Sequence, residues 1–120
     1  MKKFNKGKTP LELLPPLSLE AVADILDFGK EKYGEFNFLE GDIVKNTETI
    51  GSVKRHINEY MKFKDVDDES GKKHLAHAVC QLMILLEQDI LGIVNENRPQ
   101  PYNKFNIRQE RDKEEITIHR

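Results

Sequence analysis

Over residues 70–91 apolar side chains recur at helical spacing on two opposite sides of one segment, and few folds accommodate such a segment. Leu75, Val79, Leu82, Met83 and Leu86 form the main face, while Ala76, Cys80 and Ile84 make the other side apolar as well. A helix of that kind is central in a bundle or lies at a subunit interface. Projected at ~100° per residue, His74, His77, Gln81 and Gln88 nevertheless fall together in one narrow polar strip. Polar groups carried on a buried helix need partners.

Two further helices are read around it. Ser18 is a candidate N-cap for a first helix, in which Val22, Ala23, Ile25 and Leu26 keep helical spacing until Tyr33-Gly34 supplies a stop. A second helix is expected from about Thr49 to Lys64, with Ile50, Val53, Ile57, Tyr60 and Met61 on one face. Residues 35–49 between them read as an irregular loop. The acidic stretch 65–71 is short, so the helices on either side of it are expected to lie antiparallel. Before them, Pro15-Pro16 keeps the N-terminal residues in an extended arm whose Leu11, Leu13 and Leu14 are expected to dock on the core. After Gly92, residues 95–101 read as a boundary before a charged tail, with room for one short helix from Asn103. The expected fold is an all-α bundle forming one domain, with a helical core over about residues 10–95 and a tail over about 96–120.

Composition narrows the function classes. A formal net charge of -2 leaves no basic footprint for nucleic acid, so a phosphate ligand must be handled by a local site. The single cysteine, Cys80, excludes an internal disulfide and reads as a buried thiol of a reducing compartment. No apolar run reaches the ~20 residues of a membrane span or the pattern of a signal peptide, and a cytoplasmic protein is expected. The two-sided apolar helix calls for a homo-oligomer, a dimer or larger.

Three groups of residues could converge on chemistry. His56 and Glu59 stand three apart on the second helix and share a face. The linker offers Asp65, Asp67, Asp68 and Glu69, the hard oxygen donors that Mg²⁺ or Mn²⁺ prefers. The third helix adds His74 and His77 within one or two turns of that linker. Each piece also has a structural reading: carboxylates and Ser70 as helix-terminus caps, the imidazoles as hydrogen-bonded core groups, and His56 with Glu59 as solvated surface.

The segments Lys8 to Pro16, Phe28 to Phe38, Arg55-His56 and Asp65 to Ala78 resemble, in order and spacing, the phage-associated dATP/dGTP diphosphohydrolase N-terminal family. The run from Glu69-Ser70-Gly71 through His74 to His77-Ala78 is its most distinctive part. The resemblance implies hydrolysis of a purine deoxynucleoside triphosphate to the monophosphate and pyrophosphate, in the manner of the all-α pyrophosphatases related to MazG. The chain departs from that wider group in lacking its paired Glu-x-x-Glu and Glu-x-x-Asp motifs. It also carries Phe38 where the family typically has tryptophan, and Phe63-Lys64 where a Gly-Glu pair is frequent.

On this reading Glu59, Asp67, Glu69, His74 and His77 are the expected ligands of Mg²⁺ or Mn²⁺, with another divalent transition metal as an option. His56, Glu59 and Glu69 are the candidate catalytic groups, with Glu59 or His56 as general base. Arg55, Lys30 and Lys32 are candidate phosphate contacts, and Tyr33, Asn37 and Phe38 candidate base contacts. Two alternatives stand beside it. A helical binding module would bind a nucleotide or a protein without turnover. A histidine-and-aspartate phosphohydrolase would use His56, His74 and His77 as direct ligands of a transition metal, although the chain has no adjacent His-Asp pair.

Overall fold

The computed structural model describes residues 7–41 and 43–105, and most of the charged tail lies outside them. Four α-helices follow one another among these residues: α1 (Pro16–Tyr33), α2 (Asn37–Glu40), α3 (Asn46–Met61) and α4 (His74–Leu91). Short 3-10 turns stand at Leu11–Leu13 and Gln100–Phe105. Among the described residues the only β pairings are two isolated bridges, so the chain is all-α as its periodicity implies. No helix of these residues is long and apolar enough to cross a membrane.

Several boundaries differ from the sequence expectation for local reasons. α1 begins at Pro16, before Ser18, because a proline at the first helical position has its φ preset and has no N–H left to satisfy. It ends at Gly34, whose positive φ of 87° carries its N–H back to the Lys30 carbonyl at 2.7 Å. The arm does not dock: Leu11, Leu13 and Leu14 are exposed, since bonds from Leu13 N–H to Pro10 and from Leu14 N–H to Leu11 fold the arm onto itself. The irregular stretch contains α2, one turn long, entered through Phe36 in the left-handed region.

α3 starts at Asn46, earlier than Thr49, because a partner far along the chain closes its first turn. Asn46 is buried, its N–H donates to the Asn95 carbonyl (3.0 Å) and its Nδ2 to Glu96 Oε1 (3.1 Å). Its Oδ1 accepts the N–H of Asn97, while Asn97 Oδ1 accepts the N–H of Thr47 at 3.0 Å, a cap supplied from 50 residues away. Residues 95–98, read as the start of the tail, are thus bonded to the core. Asn46→Ala is expected to cost about 1–2 kcal/mol, because it leaves the Asn97 N–H without its acceptor and removes the amide bond to Glu96; a urea titration measures it. Bonds from the Arg98 side chain, with one from its backbone and one from Asn46, pull the Glu96 carboxyl down to about 2. A depressed carboxyl contributes fully above its ordinary value near 4.5, and its contribution is lost only as pH falls toward 2. The protection factors of the Thr47 and Asn97 amides are accordingly expected to hold above pH 4.5 and to fall as pH drops toward 2.

α4 is the helix on which the others pack. The pairs His56 with His74 and Ser52 with Gln81 advance in opposite directions along the chain, so α3 and α4 are antiparallel. Three arcs of α4 have three different roles. Ala76 and Cys80 meet Val22 and Ile25 of α1, with Ala21 and Ile84 alongside, in a small core where small side chains admit α1 closely. The polar strip turns to α3 and α2: Gln81 Nε2 donates to Ser52 Oγ (2.7 Å) and Gln88 Nε2 to the Phe38 carbonyl (3.0 Å). The remaining arc, read as the main packing face, points outward, with Leu75, Val79, Leu82, Met83, Leu86 and Ile90 between 42% and 71% exposed.

Beyond the end of α3, Phe63 has φ 63°, the left-handed conformation that a side chain disfavours, and it is 94% exposed. A glycine, frequent at this position in the resembling family, has no such penalty. Phe63→Gly is therefore expected to raise stability by about 1 kcal/mol, read as a higher urea midpoint, since no packing is lost.

Candidate metal centre

The linker between α3 and α4 is a closed turn. Val66 and Lys73 form an antiparallel bridge, Asp67 N–H donates to the Lys72 carbonyl (2.8 Å), and Gly71, at φ 70°, returns its N–H to the Asp67 carbonyl (2.8 Å). His74 N–H donates to the Asp65 carbonyl at 2.9 Å. These bonds explain why α4 begins at His74 and not at Ser70. They also fold the side chains of Asp67 and Ser70 back over the first turn of the helix.

Three imidazoles meet there. His56 Nδ1 and His74 Nδ1 lie 2.8 Å apart, so one carries the proton and the other accepts it. His77 stacks on His56 with ring centroids 4.7 Å apart and planes 6° from parallel. Its Nε2 is 2.6 Å from Ser70 Oγ and 3.8 Å from Asp67 Oδ2. The Ser70 hydroxyl accepts the Lys72 N–H and is hydrogen-bonded to His77 Nε2. Because the same nitrogen of His77 faces both Ser70 and Asp67, this is not a nucleophilic Ser-His-Asp relay, in which the two ring nitrogens serve different partners.

The electrostatics follow from the crowding. Burial, then the neighbouring His77 and His74, hold His56 below the usual histidine range, and burial does the same to His77. Partial burial alone would raise Asp67, but the backbone N–H and hydroxyl of Ser70, with His77 close by, more than offset it and keep the carboxylate ionised. Ring nitrogens of His56 and His74 and a carboxylate oxygen of Asp67 all lie within 4.8 Å of one another. With His56 and His77 held toward the neutral form and Asp67 toward the anionic one, these groups are in the protonation states that ligate a metal.

The other expected site residues are placed differently. Glu59 is held outside the cluster by Lys62 Nζ at 2.6 Å and Lys64 Nζ at 3.5 Å. Glu69 is exposed and faces Lys32 of α1 at 3.7 Å, a contact that ties the end of α1 to the linker. Lys32 also lies over the ring of the exposed Tyr33. Lys30 is paired with Asp27 at 2.8 Å. Arg55 is exposed beside His56 on α3. Asn37 starts α2, which meets α4 at Gln88, about 21 Å along the helix from His74; the fold does not bring Asn37 or Phe38 to the histidines. Ser70 is the member that spacing alone did not find, because its bond to His77 depends on the left-handed turn at Gly71.

The family model described as dATP/dGTP diphosphohydrolase, N-terminal, matches residues 1–98. A protein of Salmonella phage PMBT28 named dATP/dGTP diphosphohydrolase is 43% identical over 83 residues, which are 69% of this chain and 28% of that relative. The chain thus spans little more than a quarter of that relative's length. No solved structure matches.

Proposed function

This chain belongs to the dATP/dGTP diphosphohydrolase N-terminal family, and from that membership we propose that it hydrolyses a purine deoxynucleoside triphosphate to the monophosphate and pyrophosphate in a metal-dependent reaction. The observation that carries the reading is the meeting of His56, His74 and Asp67 at the mouth of α3 and α4 in a chain of this family.

Two imidazoles and an ionised carboxylate within one ligand sphere fit a divalent cation such as Mn²⁺ or Mg²⁺, and His56, His74 and Asp67 would hold it. Such a cation offsets charge on triphosphate oxygens and makes a bound water more acidic. The protein groups do the rest. His56, kept neutral by its surroundings, is in the state that lends a ring nitrogen to the cation, and as a ligand it does not also serve as the general base. His77 stacks on that ring and, fixed by Ser70, holds its plane. Arg55, one residue before His56, is exposed with its guanidinium lying back along α3 over Gly51, from where it can swing to a phosphate chain. Lys32, beside Glu69 at the linker, is a second phosphate contact, and the adjoining Tyr33 offers a face on which a purine can stack. Glu59 has no part in this scheme, because its two lysines already neutralise it.

Mixing the purified, folded chain with each deoxynucleoside triphosphate and Mg²⁺ or Mn²⁺ tests the proposal. dATP or dGTP is expected to give monophosphate and pyrophosphate, with slower reaction of the pyrimidine nucleotides. Binding without turnover would favour a nucleotide-binding module, and no turnover of any nucleotide removes the enzymatic reading.

A further inference from the structure

We infer that His56, His74 and Asp67 form a resident transition-metal site, one that prefers Mn²⁺, Co²⁺ or Zn²⁺ to Mg²⁺ and fills without nucleotide. The inference deepens the hydrolase reading, resting on it for the use of the ion but not for its binding. The two Nδ1 atoms lie 2.8 Å apart, joined by one hydrogen bond that a metal ion bound to both nitrogens would replace. Two nitrogens each ~2.0–2.1 Å from one tetrahedral ion stand about 3.3 Å apart, so the rings must part by about half an ångström and turn toward a common point. Asp67 is already within reach, and its orientation is fixed by the 2.9 Å bond from Ser70 N–H. Mg²⁺ requires near-octahedral oxygen ligands and sheds water reluctantly, whereas imidazole suits the later divalent ions. Behind the donors, Ser70 holds Asp67 through its N–H and His77 through its hydroxyl, and His77 stacks on the His56 ring.

The test uses the full chain without a histidine tag. Calorimetric titration with Zn²⁺, Mn²⁺ and Co²⁺ alone is expected to give one equivalent bound per chain, with a visible Co²⁺ absorption band and a rise in Tm, while Mg²⁺ at equal concentration gives neither. His56→Gln and Asp67→Asn, both at partly exposed positions, should each weaken binding more than tenfold, and Ser70→Ala by about tenfold to a hundredfold. Circular dichroism establishes that each variant is folded. Unchanged affinity in folded His56→Gln, or an equal response to Mg²⁺ and Zn²⁺, overturns the inference. Metal binding without turnover would leave it standing and remove only the hydrolase reading.

A separate observation carries a second inference: the outer arc of α4 is where a second copy of this chain docks. Its six large apolar side chains run from Leu75 to Ile90, each at least 42% exposed. Their exposed area is roughly 600 Å² per copy, so a face-to-face pair reaches the ~1,200 Å² at which stable interfaces begin. A two-fold antiparallel pairing lays this self-complementary arc on its own copy. Light scattering is expected to give twice the 14.0 kDa chain mass, and Leu82→Glu with Leu86→Glu a folded monomer. A monomeric wild-type chain at tens of micromolar, or a dimer unaffected by both substitutions, overturns it.

Discussion

Replacing Asp67 by asparagine is expected to lower kcat/KM for dATP or dGTP by on the order of 10²–10³, the scale on which removal of one preorganised electrostatic contact acts. The substitution isolates charge from shape. An asparagine oxygen can still accept the Ser70 N–H that Asp67 Oδ2 accepts, so the closed turn of the linker remains. What disappears is the one carboxylate donor beside the imidazoles, the group whose ionisation the surrounding bonds favour. Glu59→Gln and Glu69→Gln supply the contrast, with less than about threefold change, because both carboxylates are engaged by lysines outside the cluster and surface ion pairs contribute little. Steady-state kinetics on the three variants checks the ordering, and a loss at Glu59 as large as that at Asp67 would relocate the site.

Ala76→Leu is the second large effect, expected to lower stability by about 3 kcal/mol, the upper end for overpacking a close contact. Ala76 is buried between α4 and α1 against Val22 and Ile25, in a core of few buried side chains, and added methylenes there must push the helices apart. α1 also carries Lys32 to its contact with Glu69, so the variant should weaken nucleotide binding as well as stability. A urea titration gives the stability change. Cys80→Ala, which removes volume at the same contact, should cost less, since a small side chain leaves a small cavity.

Periodicity made much of the fold legible. The helical strip of His74, His77, Gln81 and Gln88 needed only ~100° per residue to appear, and the glycines at 34 and 92 marked helix ends because each takes positive φ. The short linker implied antiparallel neighbours, and His56 does meet His74 across them. Register between helices, however, is not a property of either helix alone, so the 2.8 Å pairing of these two rings could not be read from spacing. Glu59 looked like a ligand because its type and helix face were right. Its capture needed Lys62 three residues on, a pairing that helix geometry allows, and Lys64 from beyond the helix end, which no helical rule supplies. Ser70 read as a cap because serine before a helix usually is one, whereas Gly71 turned the chain and gave its hydroxyl to His77. The leucine face of α4 carried the correct period but not its partner, since periodicity locates an apolar arc without saying what covers it.

Hydrolysis of dGTP in ¹⁸O-labelled water, with products identified by mass spectrometry in the wild-type chain and in the double variant His56→Gln, Asp67→Asn, tests the central claim most directly. Water attack at the α-phosphorus with this cluster in charge places the label in the monophosphate, leaves pyrophosphate unlabelled, and stops when the two side chains are changed. Label in pyrophosphate or orthophosphate, or an undiminished reaction in the folded double variant, would contradict the account.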